Sequence, residues 1–272
     1  MKDTISKTSS VGKFMMLVGI LGAIPVIESF FNIQDFPYVQ YFLLPAAFSL
    51  LIGFLLYLYG RRKRDVAYTL GWKPSMQQSS LVVLFAWLWG ILIGALPFFL
   101  SGQLSFLYAL FEAISGWTTT GLSVMDTSRT PKILLFHRSF MQFCGGLGFV
   151  MMMNMFIQEK QSMRLYHAEG HVDKLLPNLR KTTQLIFMMY GGLLIIGTIL
   201  YQIVGMGFFE ALVHAMCALS TGGFSTHMNS IGEYHSIGIE LVTSLLMMFG
   251  KTNFAVLFLI FKLKWRKVFN IS

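Results

Sequence analysis

Charged side chains are scarce in this sequence. They make up 12% of the 272 residues, about half of the roughly 25% that a soluble domain carries. Acidic residues are the scarcer sign, 12 against 21 Lys and Arg. So little charge cannot coat a water-facing surface, which excludes an ordinary soluble enzyme and a disordered chain. Cysteine is scarce too. Cys144 and Cys217 both sit in apolar surroundings, which excludes a disulfide scaffold. No Walker loop, GxSxG elbow, Rossmann glycine set or HExxH pattern occurs. Catalysis and nucleotide binding therefore have no motif to rest on, and the chain is expected not to be an enzyme.

What is present is apolar: 55% hydrophobic residues, 26 Phe, 18 Met and a mean hydropathy of +0.63. This composition predicts an all-α, polytopic membrane protein. Lipid offers backbone amides no partner, so each crossing has to be a helix or part of a closed barrel. Five stretches are long enough for the ~30 Å hydrocarbon core, which takes about 20 helical residues. They are Phe14–Phe31, Val39–Tyr59, Ser79–Leu100, Thr183–Val204 and Ser236–Phe261. A sixth, less pure, runs from Lys132 to Gln158. Two more apolar stretches, Leu104–Trp117 and Phe208–Leu219, are too short to span and read as re-entrant helices. The first span lacks the small-residue cleavage site of a signal peptide.

The net charge of +9 is distributed as topology, not as a nucleic-acid surface. With the N-terminus inside, 17 of the 21 basic residues fall in the N-terminus, Gly60–Gln78, Glu159–Thr182 and the C-terminal tail. The positive-inside rule then places both termini in the cytoplasm and both short helices on the outer side. Four units follow: a helix pair over 1–65, a span–short helix–span repeat over 66–160, a linker over 161–182 and a second repeat over 183–272.

Each short helix runs into a small polar loop. The first reads Thr118-Thr119-Thr120-Gly121-Leu122-Ser123 and the second Leu219-Ser220-Thr221-Gly222-Gly223-Phe224-Ser225. Gly121 and Gly222 align at an offset of 101 residues. A dehydrated K⁺ ion needs oxygens to replace its water, and rings of backbone carbonyls supply them in K⁺ filters. Glycine tolerates the dihedrals this requires, Thr and Ser add hydroxyl oxygens, and the C-terminal end of a short helix favours a cation. Thr/Ser/Gly loops also simply connect membrane helices, and that reading stands beside the first for either loop alone.

These residues resemble the Trk/Ktr/HKT superfamily of K⁺ uptake proteins, closest to its bacterial TrkH branch. The resemblance is carried by Phe111-Glu112-Ala113 before Thr118-Thr119-Thr120-Gly121, and by Arg138-Ser139, Gln142 and Gly145-Gly146-Leu147-Gly148. Asp173-Lys174-Leu175 with Pro177, His214 leading to Thr221-Gly222-Gly223-Phe224-Ser225-Thr226-His227, and Gly250-Lys251-Thr252-Asn253-Phe254 complete it. It implies M1–P–M2 repeats around one filter for transported K⁺. Thr119, Thr120 and Gly121 would form one quadrant, and Ser220, Thr221 and Gly222 a second, with Thr118, Glu112, Gly223 and Arg138 in support. It also implies a bacterial plasma-membrane location and a cytoplasmic nucleotide-binding regulatory subunit (TrkA/KtrA-like). The sequence holds two of the family's four loops. The rest is expected from a homo-oligomer or a complementary C-terminal half; otherwise the chain is a non-transporting fragment or assembly subunit.

Other residues carry open alternatives. Glu112 is either an ion ligand or a carboxylate bonded behind the loop. Arg138 either snorkels to the interface or pairs with Asp126 or Glu112. Lys251 is a cationic gate, a side chain reaching the cytoplasmic interface, or a partner of Glu240, although 11 residues, about three turns, separate the two residues. The glycines Gly145, Gly146 and Gly148 allow close packing or a bend. His167, Glu169 and His171 lack a metal-site spacing, and Met151–Met153 read as packing rather than a copper site.

Overall fold

A computed structural model describes residues 2–69, 76–148, 179–253 and 256–257. Helices are the only regular elements among the described residues. The long ones are α1 (Lys2–Ala23), α2 (Val39–Thr69), α3 (Met76–Leu100) and α6 (Leu179–Ile203). The shorter ones are α4 (Phe106–Trp117), α5 (Lys132–Leu147), α7 (Phe208–Leu219) and α8 (Ile237–Lys251). Four stretches are long and apolar enough to cross a membrane: Thr8–Phe31, Ile33–Arg61, Ser80–Leu100 and Lys181–Ile203. The expected short helices fall where composition put them.

Three expectations change in detail. The first span is regular only to Ala23, because Pro25 lacks an N–H. The chain continues as a 3₁₀ turn over Ile24–Ile27 and one α-turn over Glu28–Phe31. The helix expected to run to Gln158 stops at Leu147, where Gly148 adopts φ +81°. The α8 helix ends at Lys251, with Thr252 extended behind it. Beyond Gly148 in the one and, apart from residues 256–257, beyond Asn253 in the other, these two expected spans lie outside the described residues, as do Met151–Met153, His167, Glu169 and His171.

Small residues set the first contact. A Cβ on Gly12 would sit 2.5 Å from the Gly53 carbonyl oxygen, and one on Gly53 would sit 2.7 Å from that of Gly12. Gly19 meets Ala46, and Gly60 meets Ser9, along the same seam. Small side chains let the α1 and α2 backbones approach closely. Ser49 donates to the Met15 carbonyl (2.7 Å) and receives the Trp89 indole N–H (2.8 Å), so one hydroxyl ties α1, α2 and α3 together.

The main core lies among α3 to α7. Ala109, Ala113, Ile133, Leu134, Met141, Ala215 and Leu219 are all essentially inaccessible. In this core α5 packs against both short helices, α4 and α7, while α8 packs against α6 and α7. Asp35 comes from the 3₁₀ segment Ile33–Tyr38. Its buried carboxylate accepts the Ile133 N–H at 2.9 Å, satisfying a free donor at the start of α5.

Candidate functional site

The two short helices end in the same local geometry. The amides of Thr118, Thr119 and Thr120 donate back to Ile114, Gly116 and Ser115. The amides of Ser220, Thr221 and Gly222 donate to Met216, Ala218 and Cys217. Thr119 and Thr221 then take the left-handed region at φ +56° and +54°, followed by Gly121 at +80° and Gly223 at +97°. Both pairs are 102 residues apart. The structural register therefore corrects the alignment by one residue: Gly121 corresponds to Gly223, and Gly222 corresponds to Thr120. The GG pair in the second loop hides this shift, because either glycine satisfies a search for one.

The loops face each other closely. A Cβ on Gly121 would overlap the Gly222 carbonyl group, so only glycine fits there. One α-helix presents a glycine to the end of each short helix. A Cβ on Gly145 of α5 would overlap the Trp117 carbonyl, and one on Gly250 of α8 the Leu219 carbonyl. These glycines serve close packing.

Behind each loop a buried side chain of the short helix holds a serine. In the first repeat Glu112 accepts from the Ser123 hydroxyl (2.8 and 3.1 Å) and from the Val124 N–H (3.2 Å). In the second, 102 residues on, His214 meets Ser225 at 2.9 Å. His214 Nδ1 lies 2.8 Å from the Glu210 carbonyl oxygen, which only accepts, so Nδ1 carries the proton. A neutral His214 then accepts from the Ser225 hydroxyl at Nε2. One position is thus filled by two different chemistries that both fix a loop serine.

Arg138 on α5 joins the two loops. Its Nη1 donates to Glu112 Oε1 (2.9 Å) and to Ser123 Oγ (2.9 Å). Its Nη2 donates to the Ser225 carbonyl oxygen, and its guanidinium lies 4.5 Å from the centre of the Phe224 ring. The Arg138–Glu112 pair is buried, with 2% and 0% of the two side chains exposed. A buried charge requires such partners. Of the alternatives, Arg138 takes pairing with Glu112. Asp126 instead accepts from Ser128 and lies 3.8 Å from the exposed Arg129. One turn after Arg138, Gln142 Oε1 accepts the Phe224 N–H at 3.3 Å.

The start of α7 and the segment after its loop hold a cluster that sequence reasoning missed. Glu210 binds His227 (3.2 Å) and the Tyr234 hydroxyl (2.9 Å), and the His227 N–H reaches Ser225 Oγ at 3.1 Å. Asp35 was missed as well, since nothing local marks a cap 98 residues from its helix. Lys251 and Glu240 are both exposed on α8. Among the described residues no group of three or more His, Cys, Asp or Glu is placed to hold a metal ion.

Comparisons with known proteins complete the description. A family profile described as a cation transport protein, TrkH, matches residues 58–272. The Trk system potassium uptake protein TrkG of Escherichia coli K12 is 32% identical over 193 residues, covering 68% of this chain and 40% of TrkG. The corresponding TrkH of Halomonas elongata is 31% identical over 237 residues, covering 84% and 47%. The crystal structure of the potassium transporter TrkH from Vibrio parahaemolyticus superposes with a TM-score of 0.78 at 26% identity. It covers 95% of this chain and 52% of that one. The chain spans about half the length of these relatives.

Proposed function

Because this chain belongs to the TrkH family of cation transport proteins, we propose that it supplies two of four pore loops to a K⁺ uptake pathway across the plasma membrane. The observation that carries this reading is the paired loop geometry. Two loops with matched left-handed residues, 102 apart, meet at Gly121 and Gly222. Carbonyl and hydroxyl oxygens of Thr119, Thr120 and Gly121, and of their counterparts Thr221, Gly222 and Gly223, would replace water around the ion. Ser220 then takes the place of Thr118, one residue before the filter. Glu112 and Arg138 act behind the loops as positioning residues, since the carboxylate is already filled by Ser123, Val124 and Arg138.

No covalent step is involved. The membrane potential drives entry, worth about 2.3 kcal/mol per charge for each 100 mV. In this reading α5 and α8 belong to the fourth and sixth crossings, both termini are cytoplasmic, and the basic linker and tail offer a surface to a nucleotide-binding regulatory subunit. A second reading, favoured by the exposed apolar side chains Leu107 and Ile114 on α4, is that the chain conducts only when a complementary polypeptide completes the ring.

The test is ⁸⁶Rb⁺ uptake in a bacterium lacking K⁺ uptake systems and expressing these 272 residues. Uptake that is lost in a Gly121→Asp plus Gly222→Asp variant is the expected result. No uptake from a verified membrane-inserted chain would refute autonomous transport.

A further inference from the structure

We infer that two copies of this chain pair head to tail about a two-fold axis, α8 of each covering α4 of the other. This deepens the reading above. It rests on that reading for the meaning of the completed pore, and on packing alone for the interface.

The template is an interface inside the chain. Phe136 of α5 is buried with Val213 and Met216 of α7, and Phe140, Phe143 and Phe209 pack against them. The two repeats then say where the same interface should recur. Helices α5 and α8 correspond at 105 residues, because they start at Lys132 and Ile237 and seat Gly145 and Gly250 against equivalent carbonyls. Helices α4 and α7 correspond at 102 residues.

Transposed this way, Phe136, Phe140 and Phe143 become Leu241, Leu245 and Met248 on α8. Phe209, Val213 and Met216 become Leu107, Phe111 and Ile114 on α4. All six are apolar, and all six are between 40% and 75% exposed. The interface that α5 and α7 form therefore exists again as two uncovered faces on one molecule.

The loops show the same asymmetry. Ser220, Phe224 and Ser225 are buried beside α5, whereas their counterparts Thr118, Leu122 and Ser123 are exposed. Lipid is a poor covering for this side. The backbone from 118 to 124 is non-helical, so its carbonyls lack the bonds a helix would give them, and hydrocarbon cannot satisfy them. Water is a poor covering for the six apolar side chains beside it. Protein suits both.

A second copy is the occupant that fits, because the donor face on α8 and the acceptor face on α4 belong to the same chain. A two-fold axis lets each copy give one and receive one, which closes the assembly and leaves neither face open. It also brings four loops together.

The test uses the full chain in bacterial membranes. One differently tagged copy carries Phe111→Cys and the other Leu241→Cys. Cys144 and Cys217 are buried and stay in place, with the unsubstituted chain as background. Oxidation should give a linked species carrying both tags, at least tenfold above either single variant with itself. A Leu44→Cys and Leu84→Cys pair, exposed elsewhere, should not link. Absence of the linked species, equal linking of the comparison pair, or linkage to a different polypeptide would overturn the inference. Light scattering on the unsubstituted chain is independent of variant folding: twice 30.8 kDa supports pairing and a monomer overturns it. Measuring ⁸⁶Rb⁺ uptake on the same membranes separates the two readings. A linked dimer without uptake refutes transport and upholds the pairing.

Discussion

Breaking the Arg138–Glu112 pair is the sharpest test of how the two loops are held. Arg138→Met removes a guanidinium that serves Glu112, Ser123 and the Ser225 carbonyl from a 2% exposed site. It leaves a fully buried carboxylate with only Ser123 and the Val124 amide. Breaking a buried pair by deleting one partner costs about 3–5 kcal/mol. Glu112→Gln keeps an acceptor but strands the charge of Arg138, so its loss should fall in the same range. The double variant removes both charges and should recover part of that loss, giving a coupling energy above about 1.5 kcal/mol. That threshold separates an ion pair from ordinary hydrogen bonds between membrane helices, which average roughly 0.6 kcal/mol in such cycles. Reversible denaturation in mixed detergent, with all four chains under one condition, measures it. Additive losses with a coupling below about 0.5 kcal/mol would refute the claim that one buried pair ties the loops.

Three further outcomes follow from the same geometry. Gly145→Ala and Gly250→Ala each push a methyl into the carbonyl ending a short helix and should each cost roughly 1–3 kcal/mol or more; Gly191→Ala, with open space around it, should be neutral or stabilising by up to about 1 kcal/mol, and equal stability of all three by thermal denaturation would contradict the packing. Gln142→Leu strands the buried Phe224 N–H and should lower stability by about 1–3 kcal/mol, as read from the same melts. The Ser128 hydroxyl and amide, aided by Arg129, hold the Asp126 carboxyl below the usual carboxylate range. Its support for the Thr127–Arg129 turn is therefore complete above the ordinary Asp value of about 3.9 and is lost as pH falls through the lower folded value. NMR titration of Asp126 should show that depression, and Ser128→Ala, which removes the hydroxyl but keeps the amide, should reduce it.

How much of this was legible beforehand depends on the range of each interaction. The extents of α4 and α7 were readable because apolar runs of 14 and 12 residues stop at Thr/Ser/Gly loops, and helix is the backbone's only local solution in lipid. Gly145 was readable as a packing residue for a similar reason, since a small side chain in an apolar helix announces close approach. The register of the second loop was not. Two adjacent glycines look alike on paper, and only the left-handed dihedrals at Thr221 and Gly223 separate them.

Partner choice was the other unreadable part. Glu112 and Arg138 were identifiable as charges within apolar segments, yet Asp126 was the nearer partner for Arg138 along the sequence. The fold chose Glu112 by bringing α4 and α5 side by side. The links from Arg138 to Ser225, from Gln142 to Phe224 and from Asp35 to Ile133 cross 87, 82 and 98 residues. By itself, then, the sequence determined which segments are apolar helices, where they stop and which residue types line the loops, because those follow from neighbours along the chain. Only the tertiary structure decided which loop residues correspond, which charges pair and which apolar faces stay uncovered, because those depend on helix packing that brings distant residues together.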